Sequence, residues 1–297
     1  MTVGIPTYNR AALSERAVRS ALAQDYPAIE VVVSDDASTD DTGERLQRIA
    51  REDERVRYVR QDANVGHACN FQAVLDAARG DYFMWLSDDD WIDPAYVSRC
   101  LAVLREQPDH VLVTGLARYH SNGSHVVDER PTDLLSRRPG ARVLAFLARV
   151  NVNGALFGLA QRAELQRVGF RDVVGGDWLL VSALAARGRV RTLPDVHIHR
   201  SFDGLSSDPE RLARSFGMHG VLARHHHFAV AARFAREIAG GPDFATLSVP
   251  QRLLTAALAA GLIVLRFPVL HAARAVLERL GAEGVERRVT DWVRSRD

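Results

Sequence analysis

Strand-like and helix-like runs alternate through the first 115 residues, and few folds are compatible with that pattern. VGIP, from Val3, reads as a strand. SERAVRSALAQ follows as a helix, with Ser14 as its cap and Val18, Ala21 and Leu22 on one face. IEVVVSDD, from Ile29, is a strand rich in β-branched residues, and TGERLQRIARED is a helix. VRYVRQ, YFMWLS and VLVTGLARYH continue as strands. The helices between them are ACNFQAVLDAARG, closed by Gly80, and PAYVSRCLAVLREQ, with Pro94 near its first turn. Such βαβ units build an α/β domain around a mostly parallel sheet.

In such sheets ligands bind outside the carboxyl ends of the strands. Three of those ends are polar: PTYNR after the first strand, SDDAST after the second and SDDDW after the fourth. All three fall on one edge of the sheet, and two of them carry paired aspartates. Adjacent carboxylates there can cap the next helix, stay solvated or bind a hard cation. Asp93, directly before Pro94, is the expected cap. Asp88, Asp89 and Asp90 are then left beside an apolar strand. Mg²⁺ or Mn²⁺ takes one or two carboxylates together with substrate phosphates, and would relieve their mutual repulsion. Asp35 and Asp36 can accept hydrogen bonds from a base N–H or from ribose hydroxyls, or serve as caps. Ser38 and Thr39 are candidate caps for the next helix, with Asp41 near its first turn.

Composition removes several function classes. The 297 residues include 38 basic side chains, every one an arginine, and the formal net charge is +1. No global field therefore draws in nucleic acid, and lysine Schiff-base and P-loop chemistry are excluded. Cys69 and Cys100 have no CxxC spacing, so neither a disulfide framework nor a thiolate zinc site is expected, and a reduced, cytosolic setting fits. MTVGIPTYNR lacks the basic start and apolar core of a signal peptide. LLTAALAAGLIVLRFPVL, interrupted by Arg266 and Pro268, reads as a buried or interfacial helix rather than a span.

VGIPTYNR, SALAQDYPAIEVVVSDDASTDDT and VRYVRQDANVGHACNFQAVLDAARGDYFMWLSDDDWIDPAYV together resemble a family 2 glycosyltransferase of the GT-A fold. The resemblance covers nearly all of the first 115 residues, in order. It implies an inverting enzyme that uses a nucleotide-diphospho-sugar (UDP-, GDP- or dTDP-linked) and Mg²⁺ or Mn²⁺. The acceptor would be a sugar, a lipid-linked molecule or a small molecule. By that resemblance Pro6, Thr7 and Tyr8 cradle the base, Asn9 and Arg10 continue the loop, and Asp36 reads the base edge. Asn64, Gly66 and Asn70 lie near ribose and diphosphate. SDDD corresponds to the metal-binding DxD motif, with Ser87 in its first acidic position, Asp89 as main metal ligand and Asp88 on the ribose or the metal's water shell.

An inverting transfer needs a carboxylate opposite the leaving diphosphate to take the acceptor's proton. VVGGDWLLV offers Asp177. Its local pattern reads as a helix N-cap, and the resemblance makes it the base, with Trp178 as a wall of the acceptor site. HIHRSFDGLSS resembles the family's tyrosine-arginine-x-histidine stretch, with His199 in the aromatic position, Arg200 matching and Phe202 replacing the histidine. His199 or Arg200 would then reach metal or diphosphate. In RHHHF, three consecutive histidines on a helix point apart and read as surface.

Three regions follow: 1–115 for the nucleotide-sugar, 116–205 for base and acceptor, and 206–297 as a helical extension. The extension would close the acceptor side, dimerise or lie on the inner face of a membrane. Two other readings compete: a nucleotidyltransferase, although PTYNRAALS lacks the usual glycine-rich loop with a basic residue, and a catalytically silent nucleotide-sugar-binding protein.

Overall fold

Val31, Val32 and Val33 are fully buried, as a strand covered on both faces requires. They sit in β2 (Glu30–Asp35), flanked by β1 (Thr2–Thr7) and β3 (Val56–Arg60). The computed structural model describes residues 1–121, 124–150, 153–201 and 225–279. In chain order the other strands are β4 (Tyr82–Trp85), β5 (Trp91–Ile92), β6 (His110–Ser121), β7 (Ser124–Asp128), β8 (Leu159–Gln161) and β9 (Arg189–Ser201). The helices are α1 (Ala11–Leu22), α2 (Thr42–Glu52), α3 (His67–Ala77), α4 (Tyr96–Glu106), α5 (Pro139–Arg149), α6 (Arg162–Val168), α7 (Gly176–Arg187), α8 (His226–Gly240) and α9 (Val249–Arg279).

The strands form one sheet in the order β3-β2-β1-β4-β8-β6-β9-β5, with β7 added to β6. Its first half is parallel, as the βαβ pattern requires. β8 then runs antiparallel to both β4 and β6. Two reversals restore the original direction, so β6 and its parallel neighbour β9 point the same way as β1, β2 and β4. The carboxyl end of β9, with Arg200 and Ser201, therefore arrives at the edge where the acidic strand ends lie. β5 pairs antiparallel with β9, placing Trp91 opposite His199.

α8 and α9 pack on each other, and α9 also packs on α5. The Arg266 guanidinium donates to the Leu147 carbonyl at 2.9 Å, tying α9 to the end of α5.

Several local expectations are corrected. α1 starts at Ala11, so Ser14 lies inside the helix, where its hydroxyl donates to the Ala11 carbonyl. α3 ends at Ala77; Gly80 instead passes against the backbone of Met1 and Thr2, where a Cβ would meet main-chain atoms at 2.8 Å. Asp93 does not cap α4, whose N-cap is Ala95; its carboxylate is taken by two histidines of β9. Ser38 and Thr39 do not cap α2: they bond to Asn9, and Asp40 accepts from the Thr42 N–H at 3.0 Å. Between Asn153 and β8 the chain makes a 3-10 turn, Gly154–Phe157. Of the three histidines in RHHHF, His225 is exposed, whereas His226 and His227 are buried at the start of α8. Phe202 and the serines that follow it lie outside the described residues.

Candidate active site

The three polar strand ends are bonded to one another. Thr7, closing β1, donates its hydroxyl to Asp88 Oδ2 at 2.9 Å and accepts the Asp36 N–H at its carbonyl, also at 2.9 Å. Asn9 has a left-handed backbone (φ 52°), which asparagine tolerates better than most residues. Its N–H reaches Ser38 Oγ at 2.9 Å, and its side-chain oxygen accepts the Thr39 N–H at 2.7 Å. Pro6 and Thr7 are buried, whereas the Tyr8 ring is exposed above this junction.

The two aspartates ending β2 divide the work. Asp35 is fully buried and saturated, accepting from the Ser38 N–H, the Tyr58 hydroxyl and Arg60. Asp36 accepts the N–H groups of Val65 and Gly66 at 2.6 and 3.1 Å, one on each oxygen. Gly66 has φ 87°, a conformation costly for any residue with a Cβ, and it lets the loop turn its amides onto Asp36. Asn64 donates to the Asp36 carbonyl, and buried Asn70 donates to the carbonyls of Thr7 and Ser34. Each Asp36 oxygen keeps one lone pair for a ligand.

Each aspartate of SDDD has a different neighbourhood. Asp88 is buried, and burial pushes its carboxyl up to about 6 against the pull of Arg10. Asp89 is more accessible and is paired with Arg10, whose guanidinium also lies 3.4 Å from Asp88 Oδ1. One cationic side chain thus bridges both carboxylates, so the pair converges on a single point of positive charge. Two hard oxygen donors arranged this way suit Mg²⁺ or Mn²⁺, which draws its remaining ligands from water and phosphate. Among the described residues no group of three or more His, Cys, Asp or Glu side chains could hold a metal by itself.

Asp90, 1% exposed, points the other way. It accepts from Arg200 Nε at 3.1 Å and from the Ser201 N–H at 3.2 Å. Burial pushes its carboxyl to about 7 despite Arg200. Arg200 also donates to the Tyr119 hydroxyl and lies 4.3 Å above the Phe157 ring. Arg200 is therefore committed to Asp90. His199 is committed as well: Nε2 lies 2.9 Å from Asp93 Oδ1, Nδ1 lies 3.0 Å from His120 Nε2, and the ring stacks on Trp91. Burial pushes the Asp93 carboxyl up, but the hydrogen bonds from His199 and His197 hold it below the usual range.

Asp177 lies in the first turn of α7, after Gly175, the N-cap, whose φ of 76° again favours glycine. The N-cap expectation for Asp177 is thus displaced by two residues. Its Oδ2 accepts from Asn153 Nδ2 at 3.1 Å. Burial raises its pKa, opposed by that bond, by backbone N–H groups of the helix start and by the charge of Arg200. Trp178 is half-buried and packs against the core.

Two polar residues at this edge carry no motif. Arg16 donates to the Asp89 carbonyl and lies 4.0 Å over the Trp91 ring. It also lines an open groove of about 660 Å³ with Glu15, Arg19 and Arg45, beside the acidic edge rather than over it. Asn153 is the other; VNVNG gives no sign that its amide would meet α7.

A sequence-family model for Glycosyl transferase family 2 matches residues 2–158, more than half of the chain. The chain belongs to glycosyl transferase family 2. Over 123 residues it is 33% identical to the GalNAc(5)-diNAcBac-PP-undecaprenol beta-1,3-glucosyltransferase of Campylobacter jejuni, a match covering 41% of this chain and 40% of that protein. Among solved structures it is similar to S. aureus TarS 1-349 in complex with UDP-GlcNAc, with a TM-score of 0.62 at 18% identity, covering 86% of this chain and 70% of that one. It is also similar to the mannosyltransferase PcManGT from Pyrobaculum calidifontis in complex with GDP-Man and Mn²⁺, with a TM-score of 0.55 at 23% identity, covering 97% and 81%. The family 2 chain has the GT-A fold, an α/β sheet followed by C-terminal helices, and spans about two fifths of the length of the first curated relatives it matches.

Proposed function

We propose that this glycosyltransferase is metal-dependent and inverting, and moves a sugar from a nucleotide-diphospho-sugar to an acceptor hydroxyl. The observation that carries this reading is the junction of the three strand ends, in which Thr7 joins Asp88 to Asp36. Residues 1–115 hold the donor. Tyr8 stacks on the base, Asp36 accepts its N–H, and Asn64, Gly66 and Asn70 shape the ribose side. Asp88 and Asp89 hold Mg²⁺ or Mn²⁺, which when bound neutralises charge on the leaving diphosphate. Arg10, already between these carboxylates, supplies a second positive group for the phosphates. The structures of TarS with UDP-GlcNAc and of PcManGT with GDP-Man and Mn²⁺ support a donor of this class.

Residues 116–205 supply the base and the acceptor side. As the acceptor oxygen attacks the anomeric carbon, its proton passes to Asp177 Oδ1, the oxygen that Asn153 does not hold, and Trp178 walls the acceptor. A carboxyl raised by burial is a stronger base than an ordinary aspartate. Within 206–297, the stretch Val249–Arg266 of α9 is long and apolar enough to cross a membrane by length and composition. One face of α9 is packed on α5 and α8, so peripheral contact with the inner leaflet fits better than a span. A cytoplasmic enzyme placed there would meet lipid-linked acceptors, the class named for the Campylobacter jejuni relative.

The test is a screen of UDP-GlcNAc, UDP-glucose and GDP-mannose for binding and transfer, with and without Mn²⁺. Asp89→Asn should abolish the effect of Mn²⁺ on nucleotide affinity. Asp177→Asn should keep nucleotide binding and lose about 10²–10⁴-fold in transfer rate. Full transfer by Asp177→Asn would refute the base assignment, and tight binding indifferent to Mn²⁺ would refute the metal assignment.

A further inference from the structure

Asn153 is more than nine-tenths buried, in the turn that enters Gly154–Phe157. Its Nδ2 donates to Asp177 Oδ2 at 3.1 Å. Its Oδ1 is buried and, among the described residues, has no hydrogen-bond partner. The amide orientation follows from the pair: reversed, it would set its oxygen against the carboxylate. A buried amide with an orphaned acceptor weakens a fold, and an apolar side chain of the same size would pack there at less cost. The bond to Asp177 is therefore what this side chain contributes.

We infer that Asn153 is a positioning residue, which fixes the rotamer of Asp177 and keeps its carboxylate ionised for proton transfer. The inference rests on the assignment of Asp177 as base and adds what sets the strength of that base. Asp177 is placed between opposing influences. Desolvation favours the protonated acid, while Asn153 and the amides at the start of α7 favour the carboxylate. Among the described residues Arg200 on β9 is the charged side chain that acts on it; Glu129 is bonded to the Gly154 N–H, and Arg171, before α7, is paired with Glu237 and Asp243. Of these, Arg200 is already held by Asp90, which leaves Asn153 as the uncharged side chain aimed at the base.

Asn153→Leu removes the amide while keeping its volume, with Asn153→Ala as a second variant should leucine disturb the turn. The carboxyl titration of Asp177 is read by ¹³C NMR of aspartate-labelled protein, assigned by its loss in Asp177→Asn, so no substrate need be known. Losing a hydrogen bond to a charged group should raise the apparent pKa of Asp177 by about one pH unit. The melting temperature should change little in Asn153→Leu at a pH where Asp177 is protonated, because the orphaned oxygen is gone and no ionised acceptor is stranded, and should fall as pH rises through the Asp177 titration. A lowered melting temperature with the Asp177 titration unmoved in both variants would show a purely structural residue and overturn the inference. Failure of the base assignment looks different: Asp177→Asn would then retain full transfer of sugar from the nucleotide-sugars screened above.

Discussion

Arg200→Leu tests whether the fourth strand end depends on the buried ion pair. Asp90 is 1% exposed, and its acceptor bonds come from Arg200 Nε at 3.1 Å and the Ser201 N–H at 3.2 Å. Its carboxyl is raised from 3.8 to about 7, so between those values the folded chain holds a proton that the unfolded chain has released. Stability therefore falls as pH climbs through that window, by about 4 kcal/mol in all, and levels off above it. Without Arg200 the carboxyl loses the cation bonded to it, keeps only the through-space attraction of Arg10 and Arg16, and stays protonated beyond pH 7. The variant's stability then goes on falling by about 1.4 kcal/mol per pH unit where the parent's is flat. To this is added a fixed loss of packing over Phe157 and of the bond to Tyr119. The total above pH 8 should reach about 3–5 kcal/mol, the usual cost of stranding one member of a buried pair. Thermal unfolding in EDTA, followed by circular dichroism at pH 6 and pH 8.5, reads this out. At about 2–4 °C per kcal/mol the melting temperature should drop by roughly 5 °C at pH 6 and more than 10 °C at pH 8.5. An equal drop at both pH values would refute the reasoning, because it would mean that solvent reaches Asp90 once the arginine is gone.

Two other perturbations bear on the donor and on the last helix. Asp36→Ala strips the Val65 and Gly66 N–H groups of their acceptor; nucleotide affinity by calorimetry should fall at least tenfold, and an unchanged affinity would remove Asp36 from the site. On α9, Leu254 and Leu258 are 64% and 46% exposed. The double variant L254Q/L258Q should lose co-sedimentation with phosphatidylglycerol vesicles while keeping its melting temperature. Loss of a dimer in sedimentation velocity, with vesicle binding unaffected, would assign that face to a second copy of the chain instead.

How much was readable beforehand differs from one strand end to the next. The run Val31–Val33, the alternation with helices and the three polar ends are local patterns, and they place the acidic edge without any tertiary information. Local rules failed where a side chain had a better distant partner. Asp93 has the position of a cap, but two histidines more than a hundred residues later offer it stronger bonds than an exposed helix start would. His226 and His227 read as surface because consecutive helical residues point apart, and they are buried at the start of α8.

The order of residues settles the five main strands of the first half, β1 to β4 and β6, that they run parallel at first, and that carboxylates end two of them, because side-chain periodicity and turn chemistry act over a few residues. It does not settle what each carboxylate does. Asp88, Asp89 and Asp90 are neighbours of identical chemistry, and their roles separate only because the chain places different groups around them. Arg10 comes from the loop after β1 to Asp88 and Asp89. Arg200 comes from β9 to Asp90, brought there by the two antiparallel steps through β8 that turn β6 and β9 back toward the acidic edge. Burial and charge partners decide whether an aspartate is a ligand, a base or half of an ion pair, and both are properties of the assembled sheet.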